Sequence, residues 1–173
     1  MHDTPTNNEM PRPDQSTTTN VAPLGQLRYL ILAAQREGDR ILAQQLAPFE
    51  VSPSQAEILV VLDRFGPLTL KGLGSLIVCE TGSPSRLVDV LVKRGLVIRA
   101  ENPADRREVL LEVSLLGQEI TPKLMAIENE LDSMLAQAFP AQHQAMLTAG
   151  LRSFLAGSRS GEAIDNRFPV HPL

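Results

Sequence analysis

The stretch Thr81-Gly-Ser-Pro-Ser-Arg-Leu-Val-Asp-Val-Leu-Val-Lys-Arg-Gly-Leu-Val97 decides how this chain is read. At about 100° per residue, Leu87, Val88 and Leu91 fall on one side of a helical wheel, with Gly95 near them. Gly82, Arg86, Asp89 and Lys93 fall on the other side, and Ser83, Ser85 and Val90 flank that polar stripe. Pro84 is tolerated only in a first helical turn, so the helix is expected to begin between Thr81 and Ser83, and Gly95 ends it. Two strand-like runs follow, Leu96 to Ala100 and Glu108 to Val113, separated by Asn102-Pro-Ala-Asp-Arg-Arg107. A short helix with an outward arginine, followed by a two-stranded ribbon with a basic tip, is the layout of a winged helix-turn-helix, whose second helix enters the major groove of DNA.

Upstream, Ser52-Pro-Ser-Gln55 is a helix start: a serine cap, a proline at the first helical position and a glutamine placed to reach back. That helix is expected to run to Gly66. Pro67-Leu68 is a short extended piece, and Thr69 caps a further helix to about Ile77. Outside this segment lie helices with apolar stripes of their own. Leu24 to Leu46 repeats Leu24, Leu27, Ile31, Ala34, Gly38, Ile41 and Leu42 at steps of three and four. After a Ser114 cap, Ile120, Leu124, Ile127, Leu131, Met134 and Ala138 form a heptad seam, which suits a dimer contact or, as the alternative, a core stripe. Pro140 opens a last helix carrying Leu147, Leu151, Phe154 and Leu155.

The fold expected is mainly α with a small β-ribbon, a winged helix-turn-helix core flanked by long dimerisation helices. Residues 1–22 are expected to be a disordered tail, 23–157 the folded domain, and 158–173 a flexible tail. Within the domain, residues 52–113 form the DNA-reading part, and 24–46 with 115–157 form the dimerisation helices.

Charge points to the same segment. The chain carries a net −4, yet residues 64–108 hold eight basic and five acidic groups. Attraction to phosphate follows local charge, not the total. The surplus is modest, so a dimer is expected to be needed for useful affinity. The absence of tryptophan and the single tyrosine argue against a stacking platform for single strands. No apolar run is long enough to span a bilayer and no export signal is visible, so no membrane role is expected. With one cysteine, a cytoplasmic protein is the natural default.

Arg86 can bond guanine O6 and N7 or a phosphate, and Ser83 and Ser85 can bond phosphate or base edges. Asp89 lies three residues from Arg86 and four from Lys93, where it can orient both. Asp105 can clamp an arginine two residues away, and Arg106 and Arg107 at a ribbon tip suit the negative potential of the minor groove. A solvated helix face and a generic charged hairpin would carry the same residues; the helices before and the ribbon after favour the DNA reading. Cys79, beside Leu76, Ile77 and Val78, is either a redox sensor or a small buried hydrophobe. Tyr29, Arg28 and Arg36 could line a ligand pocket or make interface contacts. His143 and His171 have no metal-ligand spacing, no cofactor or metal is expected, and no catalytic constellation is recognisable. A protein-binding winged-helix module without DNA binding is the alternative of a different class.

On Leu76 through Val97, especially Arg86-Leu-Val-Asp89 and Lys93-Arg-Gly-Leu-Val97, then Asp105-Arg-Arg107, then Ser114-Leu-Leu-Gly117, the sequence resembles the MarR family of winged helix-turn-helix transcription regulators. The resemblance covers most of the chain. It implies a homodimer built from the first and the two C-terminal helices. It implies a pseudo-palindromic double-stranded DNA operator read by Thr81, Ser83, Ser85, Arg86, Lys93, Arg106 and Arg107, with Asp105 holding the wing. It further implies a ligand-responsive repressor, controlled by a small aromatic or phenolic effector whose site is unknown, or by oxidation. Glu80-Thr-Gly-Ser-Pro84 departs from the family's usual polar run at this point.

Overall fold

A computed structural model describes residues 23–78 and 83–169. The elements are α1 (Leu24–Leu46), a 3-10 turn (Ala47–Phe49), α2 (Pro53–Phe65), β1 (Leu68–Thr69), α3 (Leu70–Gly74), α4 (Pro84–Lys93), β2 (Val97–Glu101), β3 (Val109–Val113), α5 (Leu115–Ala138), α6 (Ala141–Leu155) and α7 (Arg159–Arg167). The described residues divide into two units, with the boundary between Ala34 and Gln35. In the first, the start of α1 exposes Leu24, Leu27, Tyr29, Leu30 and Ile31, and the Arg28 guanidinium lies 4.3 Å from the centre of the Tyr29 ring.

The second unit is built around α2. Ser52 accepts from the Gln55 backbone N–H at 3.3 Å while Gln55 Oε1 accepts from the Ser52 N–H at 2.9 Å, the reciprocal cap that the sequence announces. Ile58, Leu59, Val61 and Leu62 of α2 pack with Leu73 of α3, Val88 and Leu91 of α4, and Val97, Leu111 and Val113 of the sheet. The sheet is antiparallel in the order β1-β3-β2, so the predicted ribbon gains a third, two-residue strand in which Leu68 pairs with Leu111. Along β3, Leu111 and Val113 are buried while Val109 stays exposed.

Three expectations change. The helix capped by Thr69 stops at Gly74 instead of near Ile77. Gly72 and Gly74 have low helix propensity, and Ser75 closes the turn with its hydroxyl on the Gly72 carbonyl at 2.7 Å. The heptad seam of α5 divides: Leu124 is fully buried with Ile120 and Ile127 packed beside it, whereas Met134 is 48% exposed. The stripe is therefore core in its first half and open in its second. Finally, residues 159–167 form a helix where a loose tail is expected. Ser158 caps it by accepting from the Gly161 N–H at 3.1 Å, and Ala163 is buried. Among the described residues no helix is long and apolar enough to cross a membrane.

Candidate nucleic-acid interface

Helix α4 begins at Pro84 with Ser83 as its N-terminal cap residue. Pro84 occupies the first turn, where its missing N–H costs nothing. Ser83 makes no capping bond; its hydroxyl instead meets the Ser85 hydroxyl at 2.6 Å. The helix ends as Gly95 takes φ 69°, a left-handed conformation that glycine adopts without penalty. Val88 and Leu91 anchor one face in the core, which turns Arg86 and Lys93 outward. Among the described residues neither has an ion-pair partner on the surface of this unit.

Asp89 does not orient Arg86 or Lys93. It binds Arg99 of β2 at 2.5 Å and so ties α4 to the ribbon. The reason is geometric: β2 runs beside α4, and a carboxylate on that flank reaches across more directly than along its own helix. Arg94, which counts toward the local charge, also turns inward. It donates to the Phe49 carbonyl at 2.9 Å and to the Glu50 carbonyl, and so fastens the turn before α2. These two arginines hold the frame together, and the cations left without a protein partner are fewer than the sequence count.

At the ribbon tip, Asp105 acts on the backbone. Its carboxylate accepts the Arg107 main-chain N–H at 2.9 Å, and its carbonyl accepts the Glu108 N–H at 3.0 Å. Asn102 Oδ1 accepts the Ala104 N–H at 3.0 Å in the same turn. The tip is thus shaped by side chain to main chain bonds, and Arg106 and Arg107 are left exposed. Thr81 and Cys79 lie outside the described residues.

Sequence reasoning missed other members of this surface. Lys71 of α3 is exposed near Ser83 and Ser85, lining one open recess with them, and Arg159 and Glu162 of α7 line the same recess. Lys71 was findable as a cation in the first turn of the helix preceding α4. Arg159 had only the Ser158 cap as a signal, hidden among glycines and serines. A smaller cavity of about 310 Å³ lies between α3, α4 and the ribbon, lined by Leu70, Val88, Arg99, Val109 and Leu111 among others. Among the described residues no group of His, Cys, Asp or Glu is arranged to hold a metal.

Comparison with known proteins bears on this frame. The model of the MarR family matches residues 51–109. The multiple antibiotic resistance protein MarR of Escherichia coli is 26% identical over 136 residues, covering 78% of this chain and 92% of that protein. The crystal structure of its apo form superposes with a TM-score of 0.59 at 26% identity, over 79% of this chain and 99% of that one. A mutant of the same protein complexed with operator DNA gives 0.65 at 27% identity, over 77% and 94%.

Proposed function

Because this chain belongs to the MarR family and is a transcriptional regulator of winged-helix fold, we propose that it binds a pseudo-palindromic double-stranded DNA site as a homodimer and represses transcription until a small aromatic or phenolic effector releases it. The observation that carries the DNA reading is α4. Its inner face is locked in the core by Val88 and Leu91, and its outer face presents Arg86 and Lys93 to solvent. In a dimer the two copies of α4 enter successive major grooves one helical turn apart, Arg86 reaches a guanine edge or a phosphate, and Ser83 and Ser85 bond the backbone at the groove's edge. Arg106 and Arg107 approach the adjacent minor groove on a tip whose shape Asp105 fixes. Thr81 belongs to the same proposed surface by its place in the sequence. That a mutant of the E. coli relative has been crystallised in complex with operator DNA supports the DNA reading.

The dimer reading is supported by α6, which exposes Met146, Leu147, Leu151 and Phe154. An effector that changes the distance between the two readers weakens binding by geometry alone, because both half-sites must be met at once.

The experiment is a fluorescence-anisotropy titration of the purified protein against the DNA upstream of its own coding sequence. Arg86→Ala and Arg107→Ala are expected to keep the wild-type mass and to weaken binding by about tenfold or more each, the worth of a good base or groove contact. Wild-type affinity should fall steeply with salt. Normal binding by both variants would move the reading surface elsewhere on the molecule.

A further inference from the structure

We infer that α7 is a third element of the duplex-contacting surface, with Arg159 and Lys71 taking backbone phosphates beside α4. This deepens the DNA reading above and rests on it. Lys71 and Arg159 come from helices far apart in sequence, yet they line one recess with Ser83 and Ser85, the residues that open α4. Lys71 and Arg159 are both exposed, and among the described residues neither has an ion-pair partner. The other arginine of α7, Arg167, is occupied in fixing the helix in place.

That fixing is specific. Arg167 Nη1 donates to Glu57 Oε1 of α2 at 2.8 Å, with both side chains largely buried. The same Glu57 oxygen accepts the Val78 N–H at 3.0 Å, so α7 is anchored to the residue where the chain leaves α3 for α4. Asn166 Nδ2 donates to the Ser75 carbonyl at 3.1 Å, a second tie to the end of α3. Arg152 of α6 binds Asp165 and also donates to the Phe168 carbonyl at 3.0 Å, which secures the far end of the helix. Ala163, on the inner face of α7 itself, is buried. A nine-residue helix has little stability of its own, and here three polar ties present the Arg159 cation next to the recognition helix.

Glu162 lines the same recess. Its carboxylate opposes phosphate and sets a limit on the gain, which makes it a useful probe of which way α7 faces. A backbone contact carries no sequence information of its own but fixes register and orientation on the duplex. Arg159 is therefore assigned to positioning, and Arg86 to reading.

The test uses the full chain and a fluorescein-labelled duplex from its own upstream DNA, with a scrambled duplex of equal length, titrated across a range of salt. Removing one bound phosphate from the interface lowers the slope of log K against log salt by about 0.9. Arg159→Ala and Lys71→Ala should each lower it by about one such increment per chain on both duplexes, with an unchanged melting temperature, and Arg159→Lys should restore it. Glu162→Gln should tighten binding on both. Arg167→Ala and Asn166→Ala, which loosen α7 while leaving Arg159 in the chain, should reduce the slope in the same direction. If Arg86→Ala weakens binding while Arg159→Ala keeps the wild-type slope, α7 lies off the DNA and the inference fails with the DNA reading intact. If Arg159→Ala or Arg167→Ala tightens binding, α7 occludes the reader and the inference is overturned. If the wild-type chain binds neither duplex, the DNA reading itself falls and this inference with it.

Discussion

Helices α2 and α6 carry similar apolar patterns and meet opposite fates. In α2, Ala56, Ile58, Leu59, Val60, Val61 and Leu62 are all buried. In α6, a helix of fifteen residues, none is, and Phe154 is 82% exposed. A helix of that length is marginal in water on propensity alone, and fully burying a leucine or phenylalanine contributes about 1.5–3 kcal/mol. Periodicity therefore tells that a face needs covering, and not what covers it. For α2 the cover is α4, α5 and the sheet of the same chain. For α6 the proposed cover is a second copy.

The comparison is broken most strongly at its buried end. Leu59→Ala deletes a fully buried side chain from the centre of the core and is expected to cost about 2–5 kcal/mol in a denaturant melt monitored by circular dichroism. A loss under about 1 kcal/mol would mean that α2 is not the hub of this unit. At the exposed end, the double variant Leu147→Asp with Leu151→Asp removes apolar surface that the single chain does not use. If a second copy covers α6, light scattering should find the mass halved at micromolar concentration while the far-ultraviolet spectrum keeps most of its helical signal. A variant that keeps the wild-type mass would show that the cover lies elsewhere.

What was legible in the sequence follows the same division. Caps are local, so Ser52 with Gln55, Thr69, Ser114 and the stop at Gly95 could be read directly. Helix α4 was legible because both of its faces are written within ten residues. The partner of Asp89 was not. Wheel geometry favours Arg86 and Lys93, whereas the actual partner, Arg99, is brought close only when β2 packs beside α4. The inward turn of Arg94 depends likewise on a main-chain turn more than forty residues upstream. Helix α7 was hidden because its stability comes from Glu57 and Ser75, far away in sequence, and its own composition reads as loop. Local chemistry thus announced α4 and its two faces, and tertiary packing decided which charged groups were left unpaired.

The smallest expected effect tests the join between these regions. Glu128 of α5 is half-buried near Glu57, Asp132 and Arg167. Burial pushes its carboxyl group above its ordinary pKa; Arg167 opposes that shift, and Glu57 and Asp132 add to it. A carboxyl raised in the folded state binds its proton more tightly there than in the unfolded chain. Its contribution is therefore fully present below the unfolded pKa, about 4.3, and is lost as pH rises through the folded value. At neutral pH the ionised Glu128 is a cost that the fold carries. Glu128→Gln should accordingly melt slightly higher than wild type at neutral pH, by less than the effect of either core or interface variant, and the gap should close as pH falls toward the unfolded pKa. A gap that stays constant with pH would assign the gain to packing instead of charge. A lower melting temperature for the variant at neutral pH would mean that Arg167 is paired to Glu128 as well as to Glu57, and the anchor of α7 would then draw on α5 as much as on α2.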